Sequence, residues 1–267
     1  MSSMRLKLTV SYTGTCYAGW QMQAEGQAQS TIQKELEAVL TRIAGHAVRV
    51  HGAGRTDSGV HAEGQTAHVD VPRRDGFNWQ RALNAVLPRD IRIMDVTAVP
   101  ESFHARHSAT GKLYAYTLFA GMGKTPPRLV PFAWTTPMLD VEAMTEAAGI
   151  LAGRHDFAAF QNTGTPVKDT VRNLWQISCE HSVAGPFHCP ENWPVATWFF
   201  HGDGFLKQMV RNLMGLMVWV GLGKIGVGEV AGYRDGRNRS AVPSPTAPPE
   251  GLTLLRVEYP DTVFKNA

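Results

Sequence analysis

His51-Gly52-Ala53-Gly54-Arg55-Thr56-Asp57-Ser58-Gly59-Val60-His61-Ala62, running on to Gln65-Thr66-Ala67-His68, is the stretch on which the reading of this chain turns. Gly52, Gly54 and Gly59 bracket a short polar run, with an alternating apolar segment on either side. Glycine at that density permits positive φ or the close approach of another piece of chain. Reversing direction alone takes only an Asn-Gly or Asp-Gly pair. A longer loop carrying a cation, hydroxyls and a carboxylate has a further use, and loops held on a rigid sheet are where function concentrates. Asp57 is therefore the candidate working carboxylate. Asp57 and Arg55 also suit the plainer task of tying down a turn.

Working outward, residues 5–12 alternate apolar and polar as a half-buried strand does. Ser30 and Gln33 have the spacing of a capping box, Ile32, Leu36, Val39, Leu40 and Ile43 recur at helical spacing, and Gly45 closes the helix. Residues 47–51 read as a strand entering the Asp57 loop and residues 65–72 as the strand leaving it. Trp79 to Leu87 reads as a helix stopped by Pro88, and residues 91–99 as a strand. Strand, helix, strand, strand, helix, strand is the ferredoxin-like pattern.

The second half offers strands at 112–119, around Phe132–Trp134, at 170–179, 195–201 and 252–259. A helix capped by Asp140 and a long apolar helix from about Phe205 to Val220 lie among them, with a short helical stretch from Val227 to Tyr233. The turn-rich segment 181–194 has no legible structure, and the Pro-rich run 243–249 reads as a linker. The expected class is α+β: two ferredoxin-like halves, residues 1–104 and 105–267, sharing one long antiparallel sheet with helices on one face. The open face would make a cradle for nucleic acid.

Composition narrows the function classes. With 43% hydrophobic and 18% charged residues the chain is an ordinary globular protein. The formal charge of +3 suits nucleic acid without demanding it. Residues 213–222 are apolar but shorter than the roughly 20 residues a bilayer span needs, and the N-terminus enters a strand pattern directly, so a cytoplasmic protein with no membrane association is expected. Cys179 and Cys189 lack C-x-x-C spacing, and none of the ten histidines forms H-E-x-x-H, so no metal site is expected. Gly121-Met122-Gly123-Lys124-Thr125 lacks the P-loop spacing and runs into Pro126-Pro127.

Two further segments carry candidate chemistry. Lys112, Tyr114 and Tyr116 alternate along one strand and so share a face. A cation beside two rings suits base stacking as well as it suits packing. Arg211 lies in Phe205-Leu206-Lys207-Gln208-Met209-Val210-Arg211-Asn212-Leu213-Met214-Gly215, a helix with little polar circumference, where a charge either snorkels to water or is paired inside.

Gly54-Arg55-Thr56-Asp57-Ser58-Gly59-Val60-His61-Ala62 resembles the signature of the tRNA pseudouridine synthase A family, which more often has Ala at the place of Ser58. The Lys-x-Tyr-x-Tyr strand and the Met-Val-Arg-Asn helix resemble two further family motifs, in the same order. The resemblance implies that Asp57 is the catalytic nucleophile and that Tyr114 stacks on the target uracil, although strand register alone leaves Tyr116 open. It implies that Arg211 forms an ion pair with Asp57 and that Arg55 fills the space left by a flipped base. It implies a tRNA substrate gripped at its anticodon stem-loop, a homodimer and no cofactor. Arg5, Lys7, Arg73, Arg74, Arg106 and Lys112 are candidates for phosphate contacts, and His51, His61 and His68 for hydrogen bonds to RNA. Gly153-Arg154-His155-Asp156-Phe157 and the turn at 247–252 match family stretches read as structural.

Overall fold

The computed structural model describes residues 2–21, 29–121, 125–162, 169–181 and 195–264. Two units emerge, Met1–Lys112 with Thr253–Ala267, and Leu113–Leu252. The division falls eight residues past the expected boundary at 104/105, and the closing strand belongs with the N-terminal unit, where it hydrogen-bonds beside the Asp57-bearing hairpin.

The N-terminal unit contains β1 (Ser3–Tyr12), α1 (Ile32–Ala44), β2 (His51–Gly52), β3 (His61–Pro72), α2 (Trp79–Asn84) and β4 (Ile91–Val99). β4 pairs with β1, β1 with β3 and β3 with β2, all antiparallel. Leu6, Leu8, Val10 and Tyr12 form the buried face of β1, and the helices turn Ile32, Leu36, Leu40, Trp79 and Leu83 inward. On the other face Lys7, Thr9, Ser11 and Thr66 line an open hollow of about 520 Å³, which the Asp57 loop does not enter.

Local chemistry moves several expected boundaries. The strand expected at 47–51 shrinks to two residues. The Val50 amide donates to Glu37 Oε1 at 2.9 Å and the Val48 amide to Thr41 Oγ1 at 3.3 Å, so α1 side chains take donors that a ladder would need. The N-cap of α1 is Thr31, not Ser30, with its hydroxyl accepting from the Lys34 amide. Gln33 reaches instead to Glu37 and the Val50 carbonyl. Gly45 ends the helix at φ 82°, as the sequence leads one to expect.

The C-terminal unit holds most of β5 (Gly111–Ala120), then β6 (Trp134–Thr136), α3 (Val141–Leu151), β7 (Gly153–Asp156), β8 (Val171–His181), β9 (Val195–Gly202), α4 (Met209–Gly221) and α5 (Val230–Asp235). Its strand order is β5-β9-β8-β7. Asp140 caps α3 by accepting from the Ala143 amide at 3.0 Å. The Gly153 stretch, expected as a corner, is a short edge strand on β8. β10 (Leu252–Glu258) closes the chain and pairs with β3. The class is α+β and the pairing mixed, since β10 runs parallel to β3 and β6 parallel to β5. Strands not joined by a hairpin are free of the constraint that forces antiparallel pairing. Most of the 181–194 segment lies outside the described residues.

Candidate active site

The Asp57 loop is fastened on both sides of its carboxylate. Ala53 N–H donates to the Thr66 carbonyl at 2.7 Å, and Gln65 Nε2 to the Gly54 carbonyl at 3.0 Å. Lys112 Nζ, one of the expected phosphate contacts, donates to the Ala53 carbonyl at 3.0 Å. The Thr56 hydroxyl lies 2.8 Å from the buried Tyr12 hydroxyl, and the Thr56 carbonyl accepts from the Trp20 amide. Ser58 Oγ donates to the Tyr17 carbonyl at 3.1 Å. Gly19 makes the approach possible. It sits at φ 91°, and a Cβ there would stand 2.5 Å from the Thr56 carbonyl oxygen. With Thr56 buried beside it, Asp57 is left half-buried and Arg55 exposed. A loop held at this many points gives its carboxylate a fixed backbone, which a nucleophile or base requires.

Three histidines flank the loop, and two are internal. His61 Nδ1 accepts the Gly14 amide and His68 Nδ1 the Ala105 amide, each at 3.1 Å, and both rings are buried. Burial, with His104, Arg5 and His51 nearby, lowers the His68 pKa to about 4. These two rings are structural, against the expectation that they contact RNA. His51 is exposed and stacks on His68 at 4.9 Å.

Of the other basic candidates, Arg5 is consumed by the fold. Its Nε and Nη2 grip the two oxygens of Asp70 at 2.8 Å each, while Nη1 reaches the Glu101 and Phe103 carbonyls. Arg73 pairs with Asp75, Lys7 stands 3.9 Å from Asp95, and Arg74 lies over the rings of Phe77 and Trp79. Arg106 is exposed.

On β5 the two tyrosines differ. Tyr116 is wholly buried and its hydroxyl donates to the Pro248 carbonyl at 2.7 Å. Tyr114 is 7% exposed and meets Phe205 edge to face at 5.1 Å, an arrangement that holds a ring at a fixed tilt. Both rings are buried, Tyr116 completely and with its hydroxyl bonded to the backbone.

Arg211 stands in the first turn of α4, which begins at Met209 and not near Phe205. Gln208 precedes it at φ 60°, a left-handed conformation through which a helix cannot run. Arg211 is half-buried, and its Nε donates to the Ala247 carbonyl at 2.7 Å. The Ala247 amide returns a bond to the Arg211 carbonyl at 3.1 Å. The 243–249 run is therefore no linker: Val242, Ser244 and Ala247 are buried. Next to Arg211, Asn212 is fully buried, with Nδ2 on the Phe160 carbonyl and Asn162 Oδ1 and with Oδ1 accepting from Thr246. A buried amide in an apolar helix must find such partners. That was the available signal, and sequence reading passed over it.

Asp57 and Arg55 thus share one loop of the N-terminal unit, while Tyr114 and Arg211 lie on β5 and α4 of the other. Among the described residues no group of three or more His, Cys, Asp or Glu side chains is arranged to hold a metal ion, and none of the helices is long and apolar enough to cross a membrane. His188, Cys189 and most of the glycine-lysine run at 121–125 lie outside those residues.

Residues 8–108 and 147–260 match the family model described as tRNA pseudouridine synthase. The matched segments contain Arg55, Asp57 and Arg211, and Tyr114 falls between them. The chain is 50% identical to a protein named tRNA pseudouridine synthase A from Nitratidesulfovibrio vulgaris (strain DSM 19637 / Miyazaki F), over 96% of this chain and 99% of that one. It is 49% identical to the protein of that name from Solidesulfovibrio magneticus, over 96% of this chain and 91% of the relative. With the one from Lawsonia intracellularis the identity is 48%, over 96% and 99%.

Proposed function

Because the chain belongs to the tRNA pseudouridine synthase family and is an isomerase of tRNA uridine, we propose that Asp57 is the carboxylate that carries the reaction. Uridine and pseudouridine are isomers, so nothing enters or leaves overall. The bond from ribose C1′ to N1 breaks, the uracil turns, C5 bonds to C1′, the C5 proton is removed and N1 ends protonated. The change is redox-neutral and proceeds without an external acceptor. What it requires is an ionised carboxylate to attack sugar or base, or to take a sugar proton, and a surface that keeps the loose uracil from escaping.

Asp57 fills the first role. The observation that carries this reading is its placement: a half-buried carboxylate in a loop whose neighbours on both sides are hydrogen-bonded to the sheet and to Tyr17. Arg211 supplies the cation that pairs with it. Tyr114 is the ring beneath the base, supported from the side by Phe205. A uridine in a stem must leave its stack, at a cost of about a few kcal/mol, and the exposed Arg55 is the side chain that takes its place. The target lies on the 3′ side of the anticodon stem-loop, the enzyme works as a homodimer gripping one tRNA, and it acts in the cytoplasm without a cofactor. The family resemblance of the Asp57, Tyr114 and Arg211 segments supports these finer assignments.

The test is to incubate the protein with unmodified tRNA transcripts and map pseudouridine by chemical probing. Pseudouridine confined to the 3′ side of the anticodon stem-loop is the expected result. Transcripts that stay unmodified, or that are modified only elsewhere, would refute the assignment.

A further inference from the structure

The segment from Ser244 to Pro248 crosses the start of α4 and offers consecutive carbonyls to two different elements. The Ala247 carbonyl accepts from Arg211 Nε at 2.7 Å, and the Pro248 carbonyl from the Tyr116 hydroxyl at 2.7 Å. Tyr116 lies two residues from Tyr114 on β5. One strap thus touches the side chain of Arg211 and the strand that bears the stacking ring.

The strap has little freedom to shift. A Cβ on Gly215 would stand 2.0 Å from the Pro245 carbonyl oxygen, so strap and helix backbones are in contact there. Behind it runs a hydrogen-bond chain of one polarity. Arg239 donates from Nη1 to the Val242 carbonyl and from Nη2 to the Ser244 carbonyl, both at 3.0 Å, and reaches Thr246 Oγ1 at 3.5 Å. The Thr246 hydroxyl donates to Asn212 Oδ1 at 2.7 Å. Asn212 passes both amide protons on, at 2.8 Å to the Phe160 carbonyl and 3.0 Å to Asn162 Oδ1. The chain has a charged donor at its head and runs through the buried Asn212 to the Phe160 carbonyl and the half-buried Asn162, and each bond strengthens the next. Thr246 is its middle, one residue before the carbonyl that aims Arg211.

We propose that Thr246 is a positioning residue for the reaction: through Asn212 it fixes the Ala247 carbonyl, and through that carbonyl it sets the direction of the Arg211 guanidinium. The proposal rests on the reading in which Arg211 serves the Asp57 carboxylate. Arginine directs its donors in a rigid fork, so a shift in the acceptor of Nε swings the remaining N–H groups with it. Small displacements of that kind are expensive at a reacting centre.

Thr246→Val keeps the side-chain shape and removes the hydroxyl; Thr246→Ser restores it. In single-turnover assays with saturating tRNA, Thr246→Val should lower the rate constant roughly ten- to a hundredfold, with KM for tRNA within about twofold of wild type and with Thr246→Ser close to wild type. Thr246→Val losing only tRNA affinity, or Thr246→Ser failing to rescue, would overturn the proposal. Because a structural defect could also slow turnover, the same change is made in an Arg211→Lys background, which has already lost the Nε contact. There Thr246→Val should add little, whereas a full multiplicative loss would mean that Thr246 does not act through Arg211. Should Thr246→Val not fold, Arg239→Met removes the head of the chain and enters the same cycle with the same expectations. Arg211→Met, which removes the cation, separates the two layers. If it turned over like wild type, the assigned role of Arg211 would fail; if it is slow and Thr246→Val is not, only the strap fails.

Discussion

The Asp57 loop and the Arg211 helix turn hold their side chains by opposite means. The loop is held by backbone pairing, small hydroxyls and a glycine that lets a neighbouring chain press against Thr56, with polar groups available on every side. Arg211 stands on an apolar helix, and its Nε donates to a carbonyl on a separate strap anchored through a buried amide. The first arrangement tolerates water but not extra volume. The second tolerates little change in hydrogen bonding, because each lost partner leaves a buried polar atom unsatisfied. In the proposed reaction, a carboxylate that meets substrate suits a loop, and a cation that supports it suits a helix.

After the Asp57 carboxylate itself, the largest expected effect concerns the ring on β5. Tyr114→Leu should cut turnover by about a hundredfold, while Tyr114→Phe, which keeps the stacking surface, should cost less than about tenfold. Equal rates for the two variants would remove the stacking role and leave Tyr114 as wall, like Tyr116. Next comes volume at the loop. Gly19→Ala, with φ 91° and a Cβ 2.5 Å from the Thr56 oxygen, should cost about 2–4 kcal/mol in denaturant unfolding. Gly45→Ala is the control: it has comparable φ but nothing within 4 Å, and should cost only about 1 kcal/mol. Similar losses at both positions would mean that close approach is not what Gly19 provides.

A further effect is in pH. His68 has its pKa lowered from 6.5 to about 4 by burial and by neighbouring positive charge. A folded state that resists protonation binds fewer protons than the unfolded chain, so stability rises with pH across that interval. The contribution is complete above about pH 6.5 and is lost as pH falls toward 4. Asp70, held below the ordinary carboxylate range chiefly by its hydrogen bond to Arg5, adds a loss of the same sign at still lower pH. Melting temperatures measured between pH 7 and 4 should therefore fall, and His68→Gln should flatten the upper part of that curve. An unchanged slope would place the sensitivity elsewhere.

Much of this was legible in the chain itself. Alternation gave β1 and β4, Gly45 and Asp140 marked helix ends where they occur, and the density of glycine around Asp57 singled out its loop. What stayed hidden depended on partners remote in sequence. Residues 47–51 have the composition of a strand, yet Glu37 and Thr41 take their amides. The helix at Arg211 keeps its periodicity back to Phe205, but Gln208 turns left-handed where its side chain meets Asn162. A Pro-rich run reads as a linker unless one knows that Asn212, Tyr116 and Arg211 need its carbonyls and hydroxyl. Periodicity reports which face is buried and is silent on hydrogen-bond debts settled by distant residues.

The central claim is that the carboxylate of Asp57 performs the chemistry, and Asp57→Asn, which changes shape least, addresses it most directly. Single-turnover conversion of an unmodified tRNA transcript should fall by at least about a thousandfold, while the gel-shift affinity for the same tRNA stays within a few-fold of wild type. An Asp57→Asn protein that still forms pseudouridine at a comparable rate would contradict the account.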